Sequence, residues 1–294
     1  MSHSILDIIG NTPLVISKAI NNNPKVKLFF KLEGNNPGGS VKDRAALNMI
    51  KGGLERGDFD ANSKLIEATS GNTGIALAMI AGIYGLDIEL VMPENSTKER
   101  VQTMRAYGAK VTLTPADVGI EGARDYAELK VKEEGYIMMN QFSNDDNWKA
   151  HYISTGPEIW RDTQGGITHF VSSMGTTGTI MGTSTFLKER NSKIQIVGVQ
   201  PADEAKIPGI RKWPQEYLPK IFNPKKVDSV MEVTEQEARD MAKRLAKEEG
   251  IFAGMSSGGA AAAAVKLAQS LDEGIIVSIV CDRGDRYLSS DLFD

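Results

Sequence analysis

The stretch Gly38-Gly39-Ser40-Val41-Lys42-Asp43-Arg44 decides how the rest of this sequence is interpreted. Ser40 followed three residues later by Asp43 is a helix-start pattern, and residues 45–50 continue it with helical composition. Ser40 is therefore the predicted cap, which places Lys42 in the first helical turn. A cation there opposes the helix dipole, so the local field favours the neutral amine, the form that attacks a carbonyl carbon. The alternative interpretation is a solvated surface lysine.

Two glycine-rich loops follow strand-like segments elsewhere in the chain. Thr69-Ser70-Gly71-Asn72-Thr73-Gly74 opens an apolar helix, and Gly175-Thr176-Thr177-Gly178-Thr179 comes shortly after the strand-like His169-Phe170-Val171-Ser172. Such a loop brings backbone N–H groups and a helix N-terminus to one point, which suits an anion. The second loop predicts a phosphate cup, and the hydroxyls of the first suit a substrate carboxylate. The alternative for either loop alone is a tight turn capped by Ser or Thr.

Strand-like and helical segments alternate along the chain, which is typical of α/β folds with parallel sheets and helices on both faces. Ligands in such sheets bind beyond the carboxyl ends of the strands, so loops that follow strands are expected to meet in one cleft. The predicted strands are 28–33, 64–69, 88–93, 110–114, 136–140, 169–173, 194–200 and 275–281. The predicted helices after the first two are 96–108, 119–134, 177–189, 234–249 and 258–271.

Composition excludes several classes of function. A formal charge of −4 with no basic stripe gives no support for nucleic-acid binding. The sequence contains no apolar run long enough to span a membrane and no secretory signal pattern, so a cytoplasmic location is expected. Three scattered histidines and the single Cys281 do not form a metal-binding pattern.

The three motifs together resemble those of the fold-type II pyridoxal-phosphate enzymes, the tryptophan synthase β-like fold. The finer resemblance is to the O-acetylserine sulfhydrylases, and within them to the B type, which the Cys281-Asp282-Arg283-Gly284 segment separates from the A type. It covers nearly the whole chain. The resemblance implies two parallel-type sheet domains with flanking helices. Residues 36–144 would form a smaller nested domain, and residues 1–35 together with 145–294 would form the larger domain. The active site would lie in the cleft between the two domains.

Roles for individual residues follow from the motifs and from the resemblance. Lys42 is the expected catalytic residue and the attachment point of pyridoxal 5′-phosphate. The other expected cofactor-binding residues are Asn72, Gly175, Thr176, Thr177, Gly178, Thr179 and Ser256, with Ser257 as the alternative to Ser256 beside the ring nitrogen. The expected substrate-binding residues are Thr69, Ser70, Thr73, Gln141 and Arg211, and the expected pocket residues are Cys281 and Asp282.

The expected function is a β-replacement on O-acetylserine that gives cysteine from sulfide and S-sulfocysteine from thiosulfate. The resemblance also implies a homodimer, and it does not imply a stable complex with serine acetyltransferase. The alternatives are a serine or threonine dehydratase or a cystathionine synthase of the same fold, or a non-catalytic binding module. A serine hydrolase built on Gly254-Met255-Ser256-Ser257-Gly258 is disfavoured, because that fold orders its histidine after the serine, and all three histidines come before Ser256.

Overall fold

A computed structural model describes residues 4–69 and 71–294. Ser70, one of the expected substrate-binding residues, lies outside the described residues. Within those ranges the strands are β1 Leu14–Ile16, β2 Val26–Leu32, β3 Lys64–Ala68, β4 Asp87–Pro93, β5 Lys110–Thr114, β6 Ile137–Met138, β7 His169–Ser173, β8 Gln195–Pro201, β9 Ser229–Val233 and β10 Gly274–Val280.

Helices separate most of these strands. The α-helices are α1 Lys42–Arg56, α2 Asn72–Tyr84, α3 Lys98–Ala106, α4 Gly119–Glu134, α5 Asp145–Ala150, α6 Gly156–Asp162, α7 Gly178–Arg190, α8 Glu235–Glu249 and α9 Met255–Ser270. A π-helical turn, His151–Thr155, joins α5 to α6 without a break. Among the helices in the described ranges, none has both the length and the apolar character that a bilayer span requires.

The strands form two sheets. One has the order β1-β2-β10-β7-β8-β9 and the other the order β5-β4-β3-β6. β1 pairs antiparallel with β2, and the other neighbouring strands within the described residues run parallel to each other. Interior strands such as β10 are largely apolar, with Ser278 as a buried polar residue of β10, because helices cover both faces of a parallel sheet. The predicted α/β fold with two mostly parallel sheets is confirmed.

Each sheet has its own apolar core. Side chains of α1 and α2 pack on the four-stranded sheet, while α8 and α9 cover one face of the six-stranded sheet and α6 and α7 the other. The four-stranded sheet lies wholly within 36–144, and the strands of the six-stranded sheet lie outside it. The exact domain boundaries remain a prediction.

Some elements differ from the sequence-based expectation. β1 and β9 were not expected, because one is only three residues long and the other, at the sheet edge, buries little besides Val233. The helical run from α5 to α6 was also missed, since its start is polar and Pro157 interrupts the pattern. Helix α9 begins at Met255, not at residue 258, which places Ser256 in its first turn.

A buried ionic cluster fixes α1 against the six-stranded sheet. Arg44 lies 2.7 Å from Glu33 and 2.6 Å from Glu158, and Lys31 lies 2.7 Å from the other oxygen of Glu158. Burial would raise the pKa of Glu158, but hydrogen bonds and charges from Arg44 and Lys31 lower it to about 2. The carboxylates are therefore ionised at neutral pH. The cluster holds α1 in one orientation through Arg44, which lies two residues after Lys42.

Candidate active site

The loops that follow β2, β3, β6, β7, β8 and β10 meet in one cleft at the carboxyl ends of both sheets. The cleft encloses a cavity of about 870 Å³. The expected site residues on its wall are Lys42, Thr69, Asn72, Thr73, Gln141, Gly175, Thr176, Thr177, Thr179, Arg211, Ser256 and Cys281. Gly178 and Asp282 lie next to this wall, each hydrogen-bonded to a residue on it. Tertiary structure thus brings together segments that are more than 200 residues apart in the sequence.

Lys42 is the first residue of α1. The hydroxyl of Ser40 accepts from the backbone N–H of Lys42 at 3.2 Å, but the N-cap of α1 is Val41 and no side chain caps it, so the predicted cap at Ser40 is wrong by one residue. Asp43, the other residue of the predicted helix-start pattern, has a different partner, because its carboxylate accepts from the N–H of Gly38. The loop is held on the end of β10, where Val41 N–H donates to the Cys281 carbonyl at 2.8 Å.

The loop after β3 leads into α2 at Asn72. The hydroxyl of Thr73 donates to Oε1 of Gln141 at 2.8 Å, which joins this loop to the end of β6. Glu67, buried in β3, accepts from the backbone N–H groups of Asn140 and Gln141. Burial raises the pKa of Glu67 to about 7, against the opposing effect of these two hydrogen bonds. Gln141 is therefore positioned by a buried carboxyl group that sequence reasoning did not single out.

The loop after β7 forms a cup at the N-terminus of α7. Thr177 adopts a left-handed conformation with φ of 71°. The Thr176 hydroxyl accepts from Asn147 at 3.1 Å and from the N–H of Gly178 at 3.3 Å. Within the described ranges, the buried hydroxyl of Thr177 has no hydrogen-bond partner. An unsatisfied buried hydroxyl beside a helix N-terminus suits an anion with acceptor oxygens.

His151 lies directly behind this cup, in the π-helical turn. Its Nε2 is 3.4 Å from the Thr179 hydroxyl and its Nδ1 is 2.8 Å from the Thr155 hydroxyl. Burial is the main cause that lowers the pKa of His151, and the positive charge of Arg44 contributes as well. The pKa is about 3, so the imidazole is neutral at neutral pH. His151 received no role from the sequence beyond the observation that the histidines form no metal-binding pattern, and no local sequence signal marks its contact with the cup.

The two serines at the start of α9 have different surroundings. Ser256 lies on the cavity wall opposite Gly209, whose φ is 91°. The Ser257 hydroxyl accepts from the N–H of Cys281 at 2.9 Å and lies 3.4 Å from Asp282. This placement favours Ser256 over Ser257 as the residue that faces a bound ring. Loss of hydration raises the pKa of the Cys281 thiol to about 11, so it is protonated at neutral pH.

Arg211 lies at the mouth of the cleft. Its backbone N–H donates to the Met174 carbonyl at 2.9 Å, which ties it to the end of β7. Its guanidinium lies over the ring of Trp213, and Nη1 is 4.0 Å from the Glu121 carboxylate at the start of α4. The Arg211 side chain is 45% exposed and is therefore accessible to a small anion.

Comparison with known proteins supports what the geometry indicates. The sequence profile of the family described as "Pyridoxal-phosphate dependent enzyme" matches residues 5–282. The chain belongs to this family. Pyridoxal phosphate is therefore the cofactor of the site.

The relatives of this pyridoxal-phosphate-dependent enzyme cover nearly its whole length. Cysteine synthase B of Pseudomonas aeruginosa is 56% identical over 99% of this chain and 97% of its own. Cysteine synthase B of Escherichia coli is 53% identical over 97% of this chain and 94% of its own. The crystal structure of the cysteine synthase of Entamoeba histolytica superposes with a TM-score of 0.94 at 37% identity, covering 100% of this chain and 91% of the other.

The residues on the cavity wall fit the cofactor. The amine of Lys42 matches the aldehyde of the cofactor, and the cup with the unsatisfied hydroxyl of Thr177 matches its phosphate. The amide of Asn72 matches the ring oxygen, and the hydroxyl of Ser256 matches the ring nitrogen. Within residues 4–69 and 71–294, no group of His, Cys, Asp and Glu side chains is arranged to hold a metal ion.

Proposed function

We propose that the chain catalyses a β-replacement on O-acetylserine, in which acetate leaves the β-carbon and a sulfur nucleophile takes its place. With sulfide the product is cysteine. The observation that carries this proposal is the single cavity that gathers Lys42, the two hydroxyl-bearing loops and Ser256 on its walls. Two relatives that are more than half identical to the chain are named cysteine synthase B, which supports the proposal.

The substrate carboxylate is assigned to the start of α2. The positive end of the helix dipole and the N–H groups of the first turn attract an anion there. Thr69 and Thr73 contribute hydroxyls, and Oε1 of Gln141 is occupied by Thr73, which leaves its Nε2 as a donor. By its sequence motif, Ser70 belongs to the same group.

Lys42 is assigned to hold the cofactor and to move a proton. Bound pyridoxal phosphate supplies an electron sink for the negative charge that develops at the substrate α-carbon. The Lys42 amine, at the first residue of α1, would take the α-proton. The 175–179 loop holds the phosphate, and Asn72 contacts the ring oxygen.

Ser256 is assigned to the cofactor's ring nitrogen. A hydroxyl does not hold a positive charge on that nitrogen as a carboxylate would, so the ring withdraws fewer electrons from the substrate. Negative charge at the α-carbon is then relieved by departure of acetate from the neighbouring carbon. This electronic balance favours elimination and replacement over reactions that need a long-lived carbanion.

Arg211 is assigned to a second sulfur donor, thiosulfate, which would give S-sulfocysteine. Thiosulfate carries a charged oxyanion head that a planar guanidinium binds with two donors, whereas sulfide needs no such contact. The accessible position of Arg211 at the cleft mouth supports this role. Cys281, on the cavity wall, and Asp282, buried behind Asn72, complete the pocket.

We also infer a homodimer, a cytoplasmic location and the absence of a stable complex with serine acetyltransferase. These inferences rest on the resemblance to the B-type enzymes. Sedimentation of the purified protein, alone and mixed with serine acetyltransferase, tests the first and third. Fractionation of cells that express the chain tests the second.

The activity is tested by product analysis of the loaded enzyme. We expect O-acetylserine with sulfide to yield equimolar cysteine and acetate. The competing enzymes of the same fold give different products, since a dehydratase would release ammonia and a keto acid from serine or threonine, and a cystathionine synthase would need homocysteine as acceptor. Protein that carries no cofactor after purification and incubation with pyridoxal phosphate would indicate a non-catalytic binding module.

A further inference from the structure

The side-chain amide of Asn72 is held at both ends by residues of the C-terminal segment. Its Nδ2 donates to the Asp282 carboxylate at 2.7 Å, and its Oδ1 accepts from Nη1 of Arg286 at 2.6 Å. Arg286 offers only donors and the Asp282 carboxylate is the acceptor, so exchanging the two ends of the amide would set donor against donor and acceptor against acceptor. Asn72 is thereby fixed with one remaining N–H on Nδ2.

Arg286 also contacts the loop that precedes Lys42. Its Nη2 donates to the carbonyl of Gly38. The guanidinium fits there because residue 39 is glycine, where a Cβ would lie only 2.5 Å from Nη2 and where φ is +80°. One side chain therefore joins the loop of the cofactor-binding lysine to the residue that faces the cofactor ring.

Arg286 is buried, and polar groups surround its guanidinium. Arg286 is 7% exposed, and burial lowers the pKa of its guanidinium, while the carboxylates of Asp282 and Asp43 oppose that shift. Asp282 is itself oriented by the hydroxyl of Tyr287, which donates to Oδ2 at 2.7 Å. A buried guanidinium is costly unless its donors are used, and here they are used on Asn72 and Gly38.

We propose that Arg286 is a positioning residue that orients Asn72 so that it offers an N–H, and not its carbonyl oxygen, to the ring oxygen of the cofactor. The proposal rests on the proposed function, in which Asn72 contacts that oxygen. Loss of Arg286 removes the contact at Oδ1 and leaves the amide held through Nδ2 by Asp282, so its remaining N–H is no longer fixed towards the ring oxygen. Arg286 thus acts on the cofactor through Asn72 without touching it.

A double-mutant cycle tests this mechanism. The variants are Arg286→Met, Asn72→Ala and the pair together, with Arg283→Met as the matched control, because Arg283 is 54% exposed and pairs with the exposed Asp285. The measurements are the dissociation constant of pyridoxal phosphate from titration of the apoprotein and the absorption spectrum of the loaded protein.

We expect Arg286→Met to weaken cofactor binding by about tenfold and to move the visible band towards that of Asn72→Ala. In the Asn72→Ala background, Arg286→Met should cost no more than about twofold further, since its partner is already absent. Arg283→Met should match the wild type in both measurements. Arg286→Lys, which keeps one charged donor, should lie between wild type and Arg286→Met, and it serves as the test variant if the methionine variant does not fold.

Additive losses in the cycle, or a wild-type spectrum for Arg286→Met, would overturn the proposal, because Arg286 would then act only through Gly38 or through general stability. Failure of the wild-type protein to bind pyridoxal phosphate would instead refute the proposed function, so the two failures are distinguishable.

Discussion

Replacing Arg211 with alanine is expected to separate the two sulfur donors. A charge-assisted hydrogen bond contributes about 1.5–3 kcal/mol. The Arg211 side chain is 45% exposed and Glu121 lies 4.0 Å away as a competing partner, so the lower end of that range applies. A loss of about 1.4 kcal/mol corresponds to about a tenfold lower kcat/KM with thiosulfate. Turnover with sulfide should be unchanged.

The assay is the steady-state formation of S-sulfocysteine or cysteine from O-acetylserine at saturating cofactor. Lys212→Ala is the matched control, because the neighbouring cation already pairs with Asp203 and Glu232. It should change kcat/KM with thiosulfate by less than about twofold. Glu121→Gln removes the competing carboxylate and should raise kcat/KM with thiosulfate by up to about fivefold.

Two outcomes would refute this reasoning. Equal losses with both donors in Arg211→Ala would mean that Arg211 shapes the cleft and does not select the nucleophile. No activity of the wild type with thiosulfate would refute the proposed second donor and the role assigned to Arg211.

Three further predictions concern other parts of the site and its support. Borohydride treatment of the loaded protein followed by peptide mapping should place the pyridoxyl group on Lys42, and a label on another lysine would contradict the assignment. Ser256→Asp should slow acetate release in a single turnover, because a carboxylate beside the ring nitrogen strengthens the ring as an electron sink and keeps negative charge away from the bond to acetate. An unchanged rate would show that the role assigned to Ser256 is wrong. Glu158→Gln should lower the free energy of unfolding at pH 7 by about 3 kcal/mol, because it leaves Arg44 and Lys31 buried with less compensation. The pKa of Glu158 is lowered from 4.5 to about 2. The ionised carboxylate therefore stabilises the fold fully above pH 4.5, and this stabilisation is lost as pH falls through 2. Acid denaturation of Glu158→Gln should lack this pH-dependent loss of stability.

Local patterns were enough to place the main elements of the fold. The alternation of strands and helices gave the mostly parallel α/β architecture, since a parallel strand buried on both faces is largely apolar. The start of α1 at Lys42 and the glycine-rich loop at 175–179 are also local features, because caps and tight turns depend on residues a few positions apart. The predicted cap at Ser40 was wrong by one residue, because α1 begins after Val41 and the carboxylate of Asp43 accepts from the N–H of Gly38.

The groups that hold the site residues in place depend on tertiary structure alone. Arg286 contacts Asn72 across 214 positions of sequence, and His151 contacts Thr179 across 28. Neither pair shares a helix face or a strand register, so no periodicity in the sequence could signal it. The sequence by itself determined which loops carry the amine, the hydroxyls and the glycines. Only the packing of the two sheets decided which side chains orient them, because a hydrogen bond between distant segments exists only once those segments are brought together.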